Sequence, residues 1–99
     1  MNLNQAKLNE VIENAKGAVA GNKRWMNAIN RAVEMLLTND FIHVQEDGTL
    51  ILWSESGEVY TVGRECRTDT GLCPAYAKGF PCKHRAAYKL MKRYNETAH

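Results

Sequence analysis

A chain of 99 residues, 44% hydrophobic and 24% charged, allows one domain with a modest core and excludes a low-complexity or extensively disordered segment. The formal charge of +2 is unevenly spread: residues 1–59 carry five basic and eight acidic side chains, net −3, and residues 60–99 carry eight and three, net +5. No apolar run approaches the roughly 20 residues of a membrane span, and Met1-Asn2-Leu3-Asn4-Gln5 lacks the basic and apolar regions of a secretory signal, so a cytoplasmic protein with no membrane partner is expected.

Taken in order, residues 2 to about 19 are predicted helical, because Leu8, Val11, Ile12, Ala15, Ala18 and Val19 fall within an arc of about 120° at helical spacing. Gly17 is a mild cost inside that helix. Gly21 is a stop signal and Asn22 an N-cap for a second helix over residues 23 to about 38, which a short turn would place antiparallel to the first. Trp25, Met26, Ala28, Ile29, Ala32, Val33, Met35, Leu36 and Leu37 span about 200° of this second helix. Such a width calls for two partners, so the second helix is expected at the centre, between the first helix and a sheet. Residues of this kind at helical spacing are core far more often than they line a ligand pocket.

Thr38-Asn39-Asp40 should end the helix. Phe41 to Val44, a turn at Glu46-Asp47-Gly48-Thr49, Leu50 to Trp53, a second turn around Gly57, and Val59 to Val62 then predict a three-stranded antiparallel meander. That meander delivers the chain to Cys66. Residues 85–94 are again helical, with Ala86, Ala87, Leu90, Met91 and Tyr94 on one face. Arg85, Lys89, Lys92 and Arg93 lie on an opposing arc of about 100°, with Tyr88 beside it.

All three cysteines fall between the meander and this helix. Cys66, Cys73, Cys82 and His84 are four soft or borderline ligands, the number a structural zinc site takes. Thr70-Gly71 lets the chain turn between the first two, and Gly79 with Pro81 supports a second reversal. Cys82 and His84 are two apart, which in an extended segment sets both side chains on one side. Buried thiols with no metal are the plain alternative, but Arg67, Asp69, Lys78 and Lys83 make the segment too polar for a core strand. A catalytic cysteine thiolate activated by His84 is weaker still. No phosphate loop, carboxylate pair or Ser/His/Asp set accompanies it, and a closed four-ligand site leaves no open position, so neither an enzyme nor a small-molecule substrate is expected. An odd number of cysteines and a zinc-thiolate site both suit a reducing compartment. A lone strand histidine, His43, and the terminal His99 are left outside the site.

Tyr60-Thr61-Val62, Cys73-Pro74 and above all Gly79-Phe80-Pro81-Cys82-Lys83-His84-Arg85-Ala86-Ala87 resemble the SWIM zinc finger, over roughly residues 41–94. The pattern of that family is Cys-x-Cys, a variable loop, then Cys-x-His leading into a helix. Strict spacing would put the first ligand at Gly71, which cannot ligate, whereas Cys66 lies seven residues before Cys73. Asp69 is the nearest substitute. SWIM domains occur in remodelling-type ATPases, transposases and recombination accessory proteins, and the resemblance implies binding to DNA or to proteins.

The combined expectation is an α+β fold for residues 1–99: a helical hairpin (2–38) on a three-stranded meander, then a zinc knuckle and a C-terminal helix (41–94). One structural Zn2+ is held by Cys66, Cys73, Cys82 and His84. Nucleic acid is the expected partner, met by Lys83, Arg85, Tyr88, Lys89, Lys92 and Arg93. The alternative is a protein-binding adaptor whose basic helix is merely solvated, since cations near a helix end also complement its dipole.

Overall fold

The computed structural model describes residues 3–38, 42–53 and 57–96. Asn39, Asp40, Phe41, Ser54 to Ser56 and His99, on which a helix stop, a strand start, part of a turn and a discounted ligand were placed, lie outside the described residues.

Asn4 opens the first helix. Its side-chain oxygen accepts from the Lys7 N–H at 3.0 Å, satisfying a donor that the first turn otherwise leaves unpaired, and α1 runs Gln5–Ala18. Helix α1 buries Leu8, Val11, Ile12 and Ala15, while Ala18 is exposed at the last turn. Gly21 turns at φ 88°, and Asn22 caps α2 (Lys23–Thr38) by accepting from the Trp25 N–H at 3.1 Å, as its position predicts.

Five strands follow in one antiparallel sheet in chain order: β1 (Ile42–Val44), β2 (Leu50–Trp53), β3 (Val59–Val62), β4 (Cys66–Thr68) and β5 (Gly71–Leu72). The meander therefore extends by two strands beyond the three that alternation marks. Both extra strands are too short to show a period of two. A short helix α3 (Pro74–Ala77) and the long α4 (Lys83–Glu96) complete the chain, so the fold is α+β.

Register assigns the two faces of the sheet. Val44, Leu50, Val62 and Cys66 are paired across four strands in one row, and the last three are fully buried. The neighbouring row of His43, Ile51, Thr61, Arg67 and Leu72 faces outward, with His43 exposed there. The buried row thus ends on the first thiol.

Helix α4, rather than α2, occupies the middle of the helical layer, touching α2, α1 and β3. Buried alanines on both helices, Ala28 and Ala32 on α2, Ala86 and Ala87 on α4, let their axes approach closely. The wide apolar arc of α2 overstates its burial: Ala28, Ile29, Ala32 and Leu36 are buried, Trp25, Met26, Val33 and Met35 are half-buried, and Leu37 is exposed. At the far end, the Asn4 N–H donates to the Tyr94 hydroxyl at 2.9 Å and the Lys7 ammonium sits 4.3 Å from the centre of that ring. This clasp fastens the start of α1 to the last turns of α4.

Candidate metal centre

Each thiol is placed by a different local device. Cys66 begins β4, and its carbonyl accepts from the Cys73 N–H at 2.8 Å. Strands β4 and β5 form a hairpin around Asp69-Thr70, with Gly71 at φ 139°, so the two cysteines seven residues apart meet across it. Cys73 is also the N-cap of α3, with Pro74 at the first helical position, where its missing N–H costs nothing. The Ala77 N–H reaches the Cys73 carbonyl at 2.8 Å. After α3, Gly79 turns at φ 77° and returns the chain to Cys82, whose carbonyl accepts from the Ala86 N–H at 2.9 Å.

Cys82 therefore stands immediately before α4 and His84 in its first turn, so the pair does not share the extended segment their spacing suggested. Helix α4 begins two residues before Arg85. A helix start separates residues i and i+2 in direction, yet both donors reach the cluster, with Cys82 standing one residue before α4 and its carbonyl accepting the first bond of that helix.

The four donor atoms, all buried, lie within 4.8 Å of one another. Cys82 Sγ is 3.6 Å from Cys66 Sγ, 3.7 Å from Cys73 Sγ and 3.4 Å from His84 Nδ1, and Cys66 Sγ is 3.6 Å from His84 Nδ1. A tetrahedral ion with metal–sulfur bonds of about 2.3 Å and metal–nitrogen bonds of about 2.0 to 2.1 Å separates its donors by about 3.8 Å (S to S) and about 3.6 Å (S to N). Four edges of the cluster match that figure. They are far beyond the roughly 2.05 Å of a disulfide, and the three cysteines are free thiols. The cluster could hold one metal ion. Asp69, the substitute for Cys66, is exposed on the hairpin turn and outside the cluster.

The hydrogen bond between the Cys82 and Cys66 sulfurs, with further help from His84 and from the Arg85 N–H, draws the Cys82 pKa down against the cost of its burial. The same bond, together with burial, pushes the Cys66 thiol far up. A bound divalent ion would replace the shared proton and let each cysteine ligate as a thiolate.

Surrounding contacts fix the histidine. The Tyr60 ring stacks on His84 with centroids 4.2 Å apart and planes 21° from parallel. Burial, then the Glu58 carboxylate that accepts from its hydroxyl at 3.1 Å, pushes the Tyr60 phenol up to about 12, so it stays neutral. Arg85 Nε donates to the Gly63 carbonyl at 2.9 Å, tying the first turn of α4 to the loop that delivers Cys66. Gly63 is packed so tightly that a Cβ there would meet the Thr49 side chain at 3.0 Å.

Of the basic residues of α4, Arg85 alone is drawn inward. Arg85 is half-buried, and its guanidinium lies 5.7 Å from the Tyr76 ring centre. The Lys89 ammonium lies 4.1 Å from that of Trp25, and burial followed by repulsion from Arg85 and Arg93 lowers its pKa. Lys83, Lys89, Lys92 and Arg93 are all exposed, and Tyr88 is half-buried against the core. Sequence reading missed the pairing of Arg85 and Lys89 with rings, because Tyr76 and Trp25 belong to other helices of the chain. It also gave Tyr60 no role, since the stack depends on strand register. No family model, no curated protein and no solved structure matches this chain.

Proposed function

We propose that this chain is a small zinc-binding module of SWIM type that binds nucleic acid through the basic face of α4, and not an enzyme. A Cys3His donor set with tetrahedral edges suits zinc, and four protein ligands leave no position for substrate, which makes the ion structural. The β4–β5 hairpin supports the resemblance despite the lengthened first spacing, because it returns Cys66 and Cys73 to one point. Free thiols suit the reducing cytoplasm.

The observation that carries the nucleic-acid reading is the row Arg85, Lys89, Arg93. Like charges four residues apart on a helix repel, and at Lys89 partial burial first, then Arg85 and Arg93, lower the pKa. A row of phosphates would relieve it. Four contacts from Arg85, Lys89, Lys92 and Arg93 to duplex DNA give a slope of log affinity against log salt near −3.6, and Lys89→Gln with Arg93→Gln should reduce it to about −1.8. Titration of duplex at several salt concentrations measures this. A parent that fails to bind at low salt, or a double variant with an unchanged slope, would refute it.

A protein-binding adaptor is the second reading. It is favoured by the outward sheet face, where Trp53 and Leu72 are about half exposed.

A further inference from the structure

Beside the metal cluster, the start of α2, helix α3 and the Gly79-Phe80-Pro81 return enclose a cleft of about 140 Å³. Trp25, Tyr76, Phe80, Pro81 and Arg85 line it, and Cys82 forms part of its wall. Every aromatic ring of the lining has its own cation: Arg24 is 4.6 Å from the Phe80 centre, Lys89 is 4.1 Å from that of Trp25 and Arg85 is 5.7 Å from that of Tyr76. Among the described residues, no acidic side chain lines the cleft.

These contacts do two things. They hold long, otherwise mobile side chains at defined places, which lowers the entropy cost of using them on a ligand. They also gather three positive charges around an aromatic hollow, an arrangement that an anion relieves. The volume lies well under the roughly 300 Å³ at which small-molecule pockets begin, so it suits one ring system and not a larger cofactor. A ligand that is flat and aromatic in the middle and negatively charged on both sides is a nucleotide within a strand. Phe80, about half exposed, offers the accessible stacking surface.

We propose that this cleft takes one unpaired nucleobase of a single strand, stacked on the aromatic lining, with Arg24 and Lys89 on the flanking phosphates. The proposal rests on the nucleic-acid reading above and names its substrate class: a base held in a duplex cannot enter, so single strands bind more tightly than duplex. An acidic peptide would supply the charge without the planar ring. The cleft adjoins the cluster through Cys82, so metal removal should weaken single-strand binding as well.

The test uses the full zinc-loaded chain in a Trp53→Phe background, which leaves Trp25 as the sole fluorescent tryptophan. Oligothymidylate should quench Trp25 and bind more tightly than duplex of equal length. Phe80→Ala should weaken oligothymidylate by about 5- to 150-fold, the equivalent of about 1 to 3 kcal/mol of stacking, and change duplex affinity less than about twofold. Phe80 is exposed enough that its loss should spare the fold, and unchanged zinc content and circular dichroism verify this. The proposal is overturned if an abasic strand binds as tightly as oligothymidylate, if Phe80→Ala is without effect, or if polyglutamate competes as well as the strand. If duplex binding persists and responds to Lys89→Gln with Arg93→Gln while Phe80→Ala is silent, the cleft is refuted and the basic helix stands. Absence of all nucleic-acid binding at low salt refutes both.

Discussion

Cys66 is the side chain on which spacing alone was least informative. Seven residues from its neighbour, it could have ceded its place to Asp69, and only the hairpin, which leaves Asp69 exposed on the turn and buries Cys66 completely, decides between them. Cys66→Ser should therefore cost zinc affinity more than the roughly 10- to 100-fold typical of disturbing an outer contact. Asp69→Ser should leave it unchanged. Competition with a chromogenic chelator reads both, and equal losses would mean that the carboxylate ligates after all. Cys73, Cys82 and His84 were legible because each stands beside a turn signal or a helix start. The Tyr60 stack on His84 was not, because it joins residues 24 positions apart through a register that no local pattern states.

At the scale of elements, glycine conformation separates two substitutions that look alike on paper. Gly71 sits at φ 139° where the hairpin between the first two cysteines turns, and Gly17 lies inside α1 with open space where a Cβ would go. Gly71→Ala should destabilise the protein by about 1 to 3 kcal/mol through backbone strain. Gly17→Ala should stabilise it by about 0.5 to 1 kcal/mol, because alanine loses less backbone freedom in a helix. Urea unfolding of the zinc-loaded protein distinguishes them by sign. The helices were readable because an apolar stripe repeats over three or more turns and asparagine marks where α2 begins. Strands β4 and β5, of three and two residues, give periodicity nothing to act on. The burial of α2 was overestimated for a related reason: hydrophobicity marks what can be buried, and the partner decides what is. In this fold the partner is α4, whose alanines bring it against a narrow strip.

Across the whole molecule, the metal cluster and the apolar core are one contiguous body, with Cys66, Cys73 and Cys82 packed among the residues of α1, α2 and α4. The two halves expected from sequence, a helical pair and a finger, are therefore fused through α4. Removing the metal should not release residues 60–94 together. Protection from hydrogen exchange should be lost first between Cys66 and Cys82, where β4, β5 and α3 have few apolar contacts of their own, while α4 stays protected against α2. Exchange measured before and after chelation tests this, and early loss across α4 would show that zinc, not helix packing, holds it. The clasp between Asn4 and Tyr94 has a consequence for connectivity. It brings the two ends of the described chain side by side, so a short flexible linker could join them. New termini could then open at the exposed Glu46-Asp47 turn, far in sequence from all four donor residues. Such a circular permutant would keep every contact described above, which makes the order in which the segments are strung together dispensable to the site.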